Sequence, residues 1–101
     1  MFKITEDCIE KKTFVEYFSS EAKKGTEEFE QLIKRFESGP QYKFRMRDRD
    51  EEVYFIGYSD DCTKKGGYDP LDMYGEYYGC FDIQYLNADG NYVRLMPTED
   101  D

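Results

Sequence analysis

The chain has 101 residues, a formal net charge of −9, an aromatic content of 18% and no histidine. One domain with a small core fits this length, and the many Phe and Tyr residues can build it because each buried ring removes about 150–250 Å² from water. The missing histidine leaves acid–base chemistry to carboxylates, cysteine, lysine or tyrosine; the charge repels nucleic acid and anionic lipid; and no run of about 20 apolar residues is present to span a membrane.

Phe2 and Ile4 alternate with Lys3 and Thr5, which predicts a short edge strand or an ordered arm at the start. Thr13-Phe14-Val15-Glu16 fits a capping box. Behind it Val15, Phe18, Ala22, Gly25, Phe29, Leu32 and Phe36 step by three and four, with Ile33 widening the stripe, and predict helical structure over residues 13–38. Gly25-Thr26 allows either one bent helix or two collinear ones. A break at 24–26 with a new cap at Thr26 is favoured, because glycine inside a helix costs about 1 kcal/mol relative to alanine. Ser38-Gly39-Pro40 terminates the pattern.

Beyond Pro40 the period becomes two. Tyr42, Phe44 and Met46 alternate with Lys43, Arg45 and Arg47, predicting a half-buried strand with a basic outer face. A turn at residues 48–51 leads to Val53-Tyr54-Phe55-Ile56, apolar on both faces and read as a central strand ending at Gly57-Tyr58. Residues 59–79 have no regular period and read as a long acidic loop, rich in Tyr and Gly, of the kind that is often functional. Phe81, Ile83 and Tyr85 predict another half-buried strand, Asn87-Ala88-Asp89-Gly90-Asn91 a hairpin turn, Val93 and Leu95 a last strand, and residues 97–101 a frayed acidic tail. The expected fold is one α+β domain: helical segments over residues 13–38 packed on one face of an antiparallel sheet of about four strands.

The charge is uneven. Residues 59–101 hold ten acids and three bases, and so carry −7 of the −9. At its centre Asp60, Asp61, Asp69, Asp72 and Glu76 are interleaved with Tyr58, Tyr68, Tyr74, Tyr77 and Tyr78. Tyrosine offers large, fairly rigid contact area with a polar tip, and carboxylates beside it attract a partner's Arg and Lys. Carboxylates on alternate strand positions, about 6.6–6.8 Å apart, could further stand in for successive phosphates. The bland alternative is a solvated acidic loop that keeps the protein soluble. The basic strip Lys43, Arg45, Arg47, with Arg49 at the turn, is the opposite signal: it could touch phosphate or pair across strands with Glu52 or Asp82.

Other chemistry has little support. Cys8, Cys62 and Cys80 are odd in number and show no Cys-x-x-Cys spacing. Reduced thiols are expected, with a single Cys62–Cys80 bridge as the alternative. A nucleophilic cysteine lacks a histidine base, and zinc lacks its usual ligands. The Asp-rich stretches at 48–52 and 87–91 lack the twelve-residue calcium register and read as turns. A carboxylate-only hydrolase stays open solely because 23 acids could meet in many ways.

The strands and turns from Tyr42-Lys43-Phe44-Arg45-Met46 through Val53-Tyr54-Phe55-Ile56-Gly57-Tyr58-Ser59-Asp60-Asp61, then Asp69-Pro70-Leu71-Asp72-Met73-Tyr74-Gly75 and Gly79-Cys80-Phe81-Asp82-Ile83-Gln84-Tyr85, resemble small uncharacterised proteins of bacterial phages and mobile elements. Such genomes also encode small acidic anti-CRISPR and anti-restriction inhibitors, some of which imitate DNA. The resemblance implies a counter-defence role in the cytoplasm of a bacterial host and assigns no residue a function. The expectation is therefore a non-enzymatic protein without cofactor or metal. It would cover the basic groove of a nucleic-acid-binding protein, such as a CRISPR effector, without contacting nucleic acid or membrane itself. Asp60, Asp61, Asp69, Asp72 and Glu76 would supply charge, and Tyr74, Tyr77 and Tyr78 contact area. The alternatives are an accessory protein that binds nucleic acid through Lys43, Arg45, Arg47 and Arg49, and a homodimer packed through its tyrosines.

Overall fold

Alternation of apolar and polar residues dominates the chain more widely than the helical stripe does. In a computed structural model, which describes residues 1–95, six strands form one sheet: β1 Phe2–Asp7, β2 Lys12–Phe18, β3 Tyr42–Arg47, β4 Val53–Ser59, β5 Asp82–Leu86 and β6 Tyr92–Arg94. The order is β2-β1-β4-β3-β5-β6 and every neighbouring pair is antiparallel. The class is α+β as expected, with six strands in place of about four. The predicted tail at 97–101 lies outside the described residues.

Two corrections fall in the first 20 residues. β1 is an interior strand, paired on both sides, because β2 lies outside it. The capping box at Thr13 does not form: the segment expected to start the helix is β2. Thr13, Phe14, Val15, Tyr17 and Phe18 are β-branched or aromatic and favour a pleated surface. Phe14 and Phe18 are four apart, a spacing that fits one face of a strand as well as one of a helix. The hairpin is closed by a turn in which Asp7 Oδ1 accepts from the backbone N–H of Ile9 at 2.9 Å and Glu10 at 3.0 Å. Glu16, the expected capping acid, pairs instead with Lys24 at 2.6 Å.

The break at 24–26 is where the sequence places it. Gly25 turns with φ +86°, and Thr26 caps helix α1, Glu27–Ser38, its hydroxyl accepting from Phe29 N–H at 3.2 Å. Glu27, Glu28 and Glu30 stand in the first turn and Arg35 in the last, matching the helix dipole. α1 ends at Gly39.

One face of the sheet carries the core: Phe2, Ile4, Phe44, Met46, Phe55, Ile83 and Tyr85, all buried. What covers them is not the helix. Buried Leu71 and Cys80, with Cys62, Tyr68, Tyr74 and Leu95, close over this face. α1 instead meets the opposite face of the sheet at its Tyr17–Lys3 end. Phe36 meets Tyr17 edge-on at 6.2 Å, Glu37 binds Lys3 at 3.0 Å, and Leu32 and Phe36 share a hollow with Met1 and Asp60. A twelve-residue helix with two buried side chains, Phe29 and Phe36, cannot cover a six-stranded sheet. The connection between β4 and β5 therefore supplies the second layer.

Candidate functional site

That connection, residues 60–81, is where the sequence places the candidate site. It is not an irregular loop throughout. Pro70, at φ −59°, leads into a π-helical turn, Leu71–Gly75, which passes into a 3-10 turn, Glu76–Tyr78, and stops at Gly79 with φ +94°. Leu71 and Tyr74 fall on the inner side and Asp72 and Glu76 on the outer. This three-and-four spacing could have revealed the helical turn, but Gly75 and Gly79 masked it. Gly75 is required by packing: a Cβ there would sit 2.5 Å from Met46 Sδ and 3.1 Å from Cys80 Cβ.

The acids gather in one neighbourhood. Asp60 is exposed, and its Oδ2 lies 3.0 Å from the Met1 amino group. Asp61 accepts from Thr63 N–H at 2.7 Å and Thr63 Oγ1 at 2.6 Å. Burial opposes its ionisation, but those bonds, one from the Gly66 backbone and the charge of Lys65 hold its carboxyl below the ordinary range. Asp69 goes the other way. Burial raises its pKa, the Met1 amine offsets part of this, and Asp72, Asp61 and Asp60 add like charge. Asp72 and Glu76 are exposed and border an open cleft of about 450 Å³ between Lys64, Lys65 and Arg94, floored by Leu71 and Ile83.

The tyrosines divide. Tyr74 is a core-edge residue, its ring 4.9 Å from Phe55, 5.1 Å from Phe18 and 5.0 Å from Tyr78; burial pushes its hydroxyl pKa well up. It cannot offer the free contact area expected of it. Tyr68 donates to the Leu95 carbonyl at 2.6 Å and Tyr85 to the Gly67 carbonyl at 2.8 Å, tying the cover to the sheet. Tyr78 is 47% exposed and Tyr77 86% exposed, its ring resting on Tyr78 at 5.2 Å. Tyr58 points to the opposite face of the sheet, where Lys3 stands 5.5 Å over its ring. Sequence reasoning passed over Met73, 40% exposed, and placed Phe81 on the buried side of a half-buried strand; Phe81 instead precedes β5 and is 43% exposed, while Asp82 and Gln84 are buried along with Ile83 and Tyr85.

None of the five acids lies on a strand. The imitation of phosphates by alternate strand positions therefore has no carrier here; the acids ride on turns. The two Asp-rich stretches are turns as well: Asp48 Oδ1 accepts from the N–H of Asp50 and Glu52, and Asn87 Oδ1 from those of Asp89 and Asn91. All three cysteines are free, and burial pushes the Cys80 thiol up to about 12, which keeps it protonated at neutral pH. Among the described residues no three Cys, Asp or Glu side chains are placed to hold a metal ion, and no helix is long and apolar enough to cross a membrane. No protein-family model matches the chain, and neither a curated protein nor a solved structure is significantly similar to it.

Proposed function

We propose that this chain is a non-enzymatic binding protein whose acidic cover, residues 60–81, docks onto a basic protein surface and blocks it. A nucleic-acid-binding protein presents such a surface, and a counter-defence inhibitor of a phage or mobile element is the setting that the resemblance suggests. The observation that carries the reading is the crowding at Asp69. Half-buried Asp69 lines one cleft with Asp72 and Glu76, burial and the charges of Asp72, Asp61 and Asp60 raise its pKa against the offset of the Met1 amine, and a perturbed carboxylate in a cleft is a functional-site candidate. Tyr77 and Tyr78 project beside them as aromatic contact area, a residue type enriched in binding hot spots.

The test is a pull-down from bacterial lysate at low and high salt with the wild type and an Asp60→Asn/Asp72→Asn/Glu76→Gln variant. The reading expects basic proteins retained at low salt by the wild type and released at high salt, with retention weakened and its salt dependence flattened in the variant. Equal retention by both proteins at both salt concentrations removes it.

A further inference from the structure

The face of the sheet opposite the core is met by α1 at the Tyr17–Lys3 end, through Phe36 and Glu37, and carries a different chemistry. Neighbours across the strands run Tyr17, Lys3, Tyr58, Lys43 along one row. Two residues further along, they run Ile56, Arg45, Gln84, Arg94. Arg47 follows beyond, and Tyr92 flanks the rows on β6. Five cations thus share a face with the carboxylates of Glu6 and Asp82 and the helix's Glu37, in a chain whose net charge is −9.

Not all five are available. Lys3 is held by Glu37 at 3.0 Å and Arg47 by Asp82 at 2.7 Å, the latter one of the cross-strand pairings that the sequence left open for the basic strip. Three differ. Lys43 has no ion pair among the described residues. Arg45 bonds the neutral Gln84 at 2.6 Å, and its guanidinium lies 4.2 Å from the Tyr92 ring centre. Arg94 is 43% exposed, 3.8 Å from an Asp82 that Arg47 already holds, 5.1 Å from the Phe81 ring and on the rim of the cleft that Asp72 and Glu76 border. Positive charge therefore alternates with planar groups along rows in which Arg94 is exposed, Lys43, Arg45, Tyr58 and Tyr92 are half-buried and Gln84 is buried.

We infer that this face binds single-stranded nucleic acid, with Lys43 and Arg94 meeting phosphates and Tyr58 and the Arg45–Tyr92 pair stacking unpaired bases. Rings and guanidinium planes on a sheet take unstacked bases in this way. A duplex hides its base faces, and this flat surface has no helix or ribbon to enter a groove. Arg94 stands at the rim shared with the acidic cleft, whereas Lys43, Tyr58 and Arg45 lie away from it, so either reading can fail alone.

The experiment is fluorescence anisotropy of labelled oligo-dT and oligo-rU of about 20 nucleotides, with a duplex of equal length as the third arm, between about 25 and 200 mM salt. The wild type is expected to bind both single strands more tightly than the duplex. The log–log salt slope should be about −1.4, at about 0.7 per phosphate contacted. Lys43→Gln with Arg94→Gln should flatten that slope towards zero. Tyr58→Leu should weaken binding while leaving the slope in place, and circular dichroism checks that each variant folds; should Tyr58→Leu not fold, the two surface cations still decide the matter. No binding by the wild type at about 100 µM protein and the lowest salt, preference for the duplex, or an unchanged slope in the Lys43/Arg94 variant overturns the inference.

Discussion

Asp69 is the residue at which stability and the proposed function pull apart. Its folded pKa is raised above the ordinary 3.8, first by burial and then by Asp72, Asp61 and Asp60. For such a carboxylate the unfolded chain releases its proton first as pH rises. Stability is therefore lost between 3.8 and the raised folded value, and the loss persists at neutral pH. Asp69→Asn is accordingly expected to raise the melting temperature at pH 7 and to lose that advantage near pH 3, where the wild-type carboxyl is protonated. A lower melting temperature at pH 7 would show that Asp69 is an internal partner and not a tolerated cost. Tyr74 and Tyr77 are separated by the same local geometry. Three residues apart, one is packed against Phe55 and the other is 86% exposed; composition treats them alike and only the helical turn distinguishes them.

At the scale of elements, two threonines announce a helix start, and one of them does cap a helix. Thr26 follows a glycine with positive φ and caps α1, whereas Thr13 lies in the edge strand β2. Thr26→Ala is expected to cost about 1 kcal/mol in urea unfolding, and Thr13→Ala, at an exposed edge position, less than about 0.5 kcal/mol. The reverse order would restore the capping box that the sequence suggests. The apolar stripe of residues 15–36 was ambiguous because residues four apart share a face in both a strand and a helix. β1 decides the outcome by offering β2 a pairing partner at both ends, with an irregularity between Ile4 and Glu6 opposite Phe14-Val15. α1, started by the turn at Gly25 and the Thr26 cap, keeps its helical bonds.

At the scale of the molecule, the β4–β5 connection does the work that a helical layer was expected to do. Leu71 is 7% exposed among Phe2, Phe55 and Ile83 in the same core cluster, while Leu32 on α1 lies only half-buried at the end of the sheet. Leu71→Ala is expected to cost about 2–5 kcal/mol, a large part of a total that is typically about 5–15 kcal/mol for a domain. Leu32→Ala should cost distinctly less, both read from urea midpoints. Equal costs would mean that the helix, too, seals the core. The cover carries Asp60, Asp69, Asp72 and Glu76, the opposite face carries Lys43 and Arg45, and Arg94 stands at the rim between them. The candidate acidic site is thus part of the fold's second layer, and replacing its buried members tests stability together with binding.

The strands β3 to β6, the cap at Thr26, the stop at Gly39, the Asp48 and Asn87 turns and cross-strand pairing within the basic strip were legible in the chain, because each depends on residues within a turn's reach or on simple alternation across neighbouring strands. Local chemistry also marked residues 59–79 as acidic and tyrosine-rich. The sequence could not decide whether residues 12–18 were strand or helix, which tyrosines are buried, or which segment covers the sheet. Those outcomes depend on which surfaces compete for the same apolar face. That competition is settled by packing between segments far apart in the chain: Tyr74 against Phe18, Tyr85 against Gly67, β2 against β1.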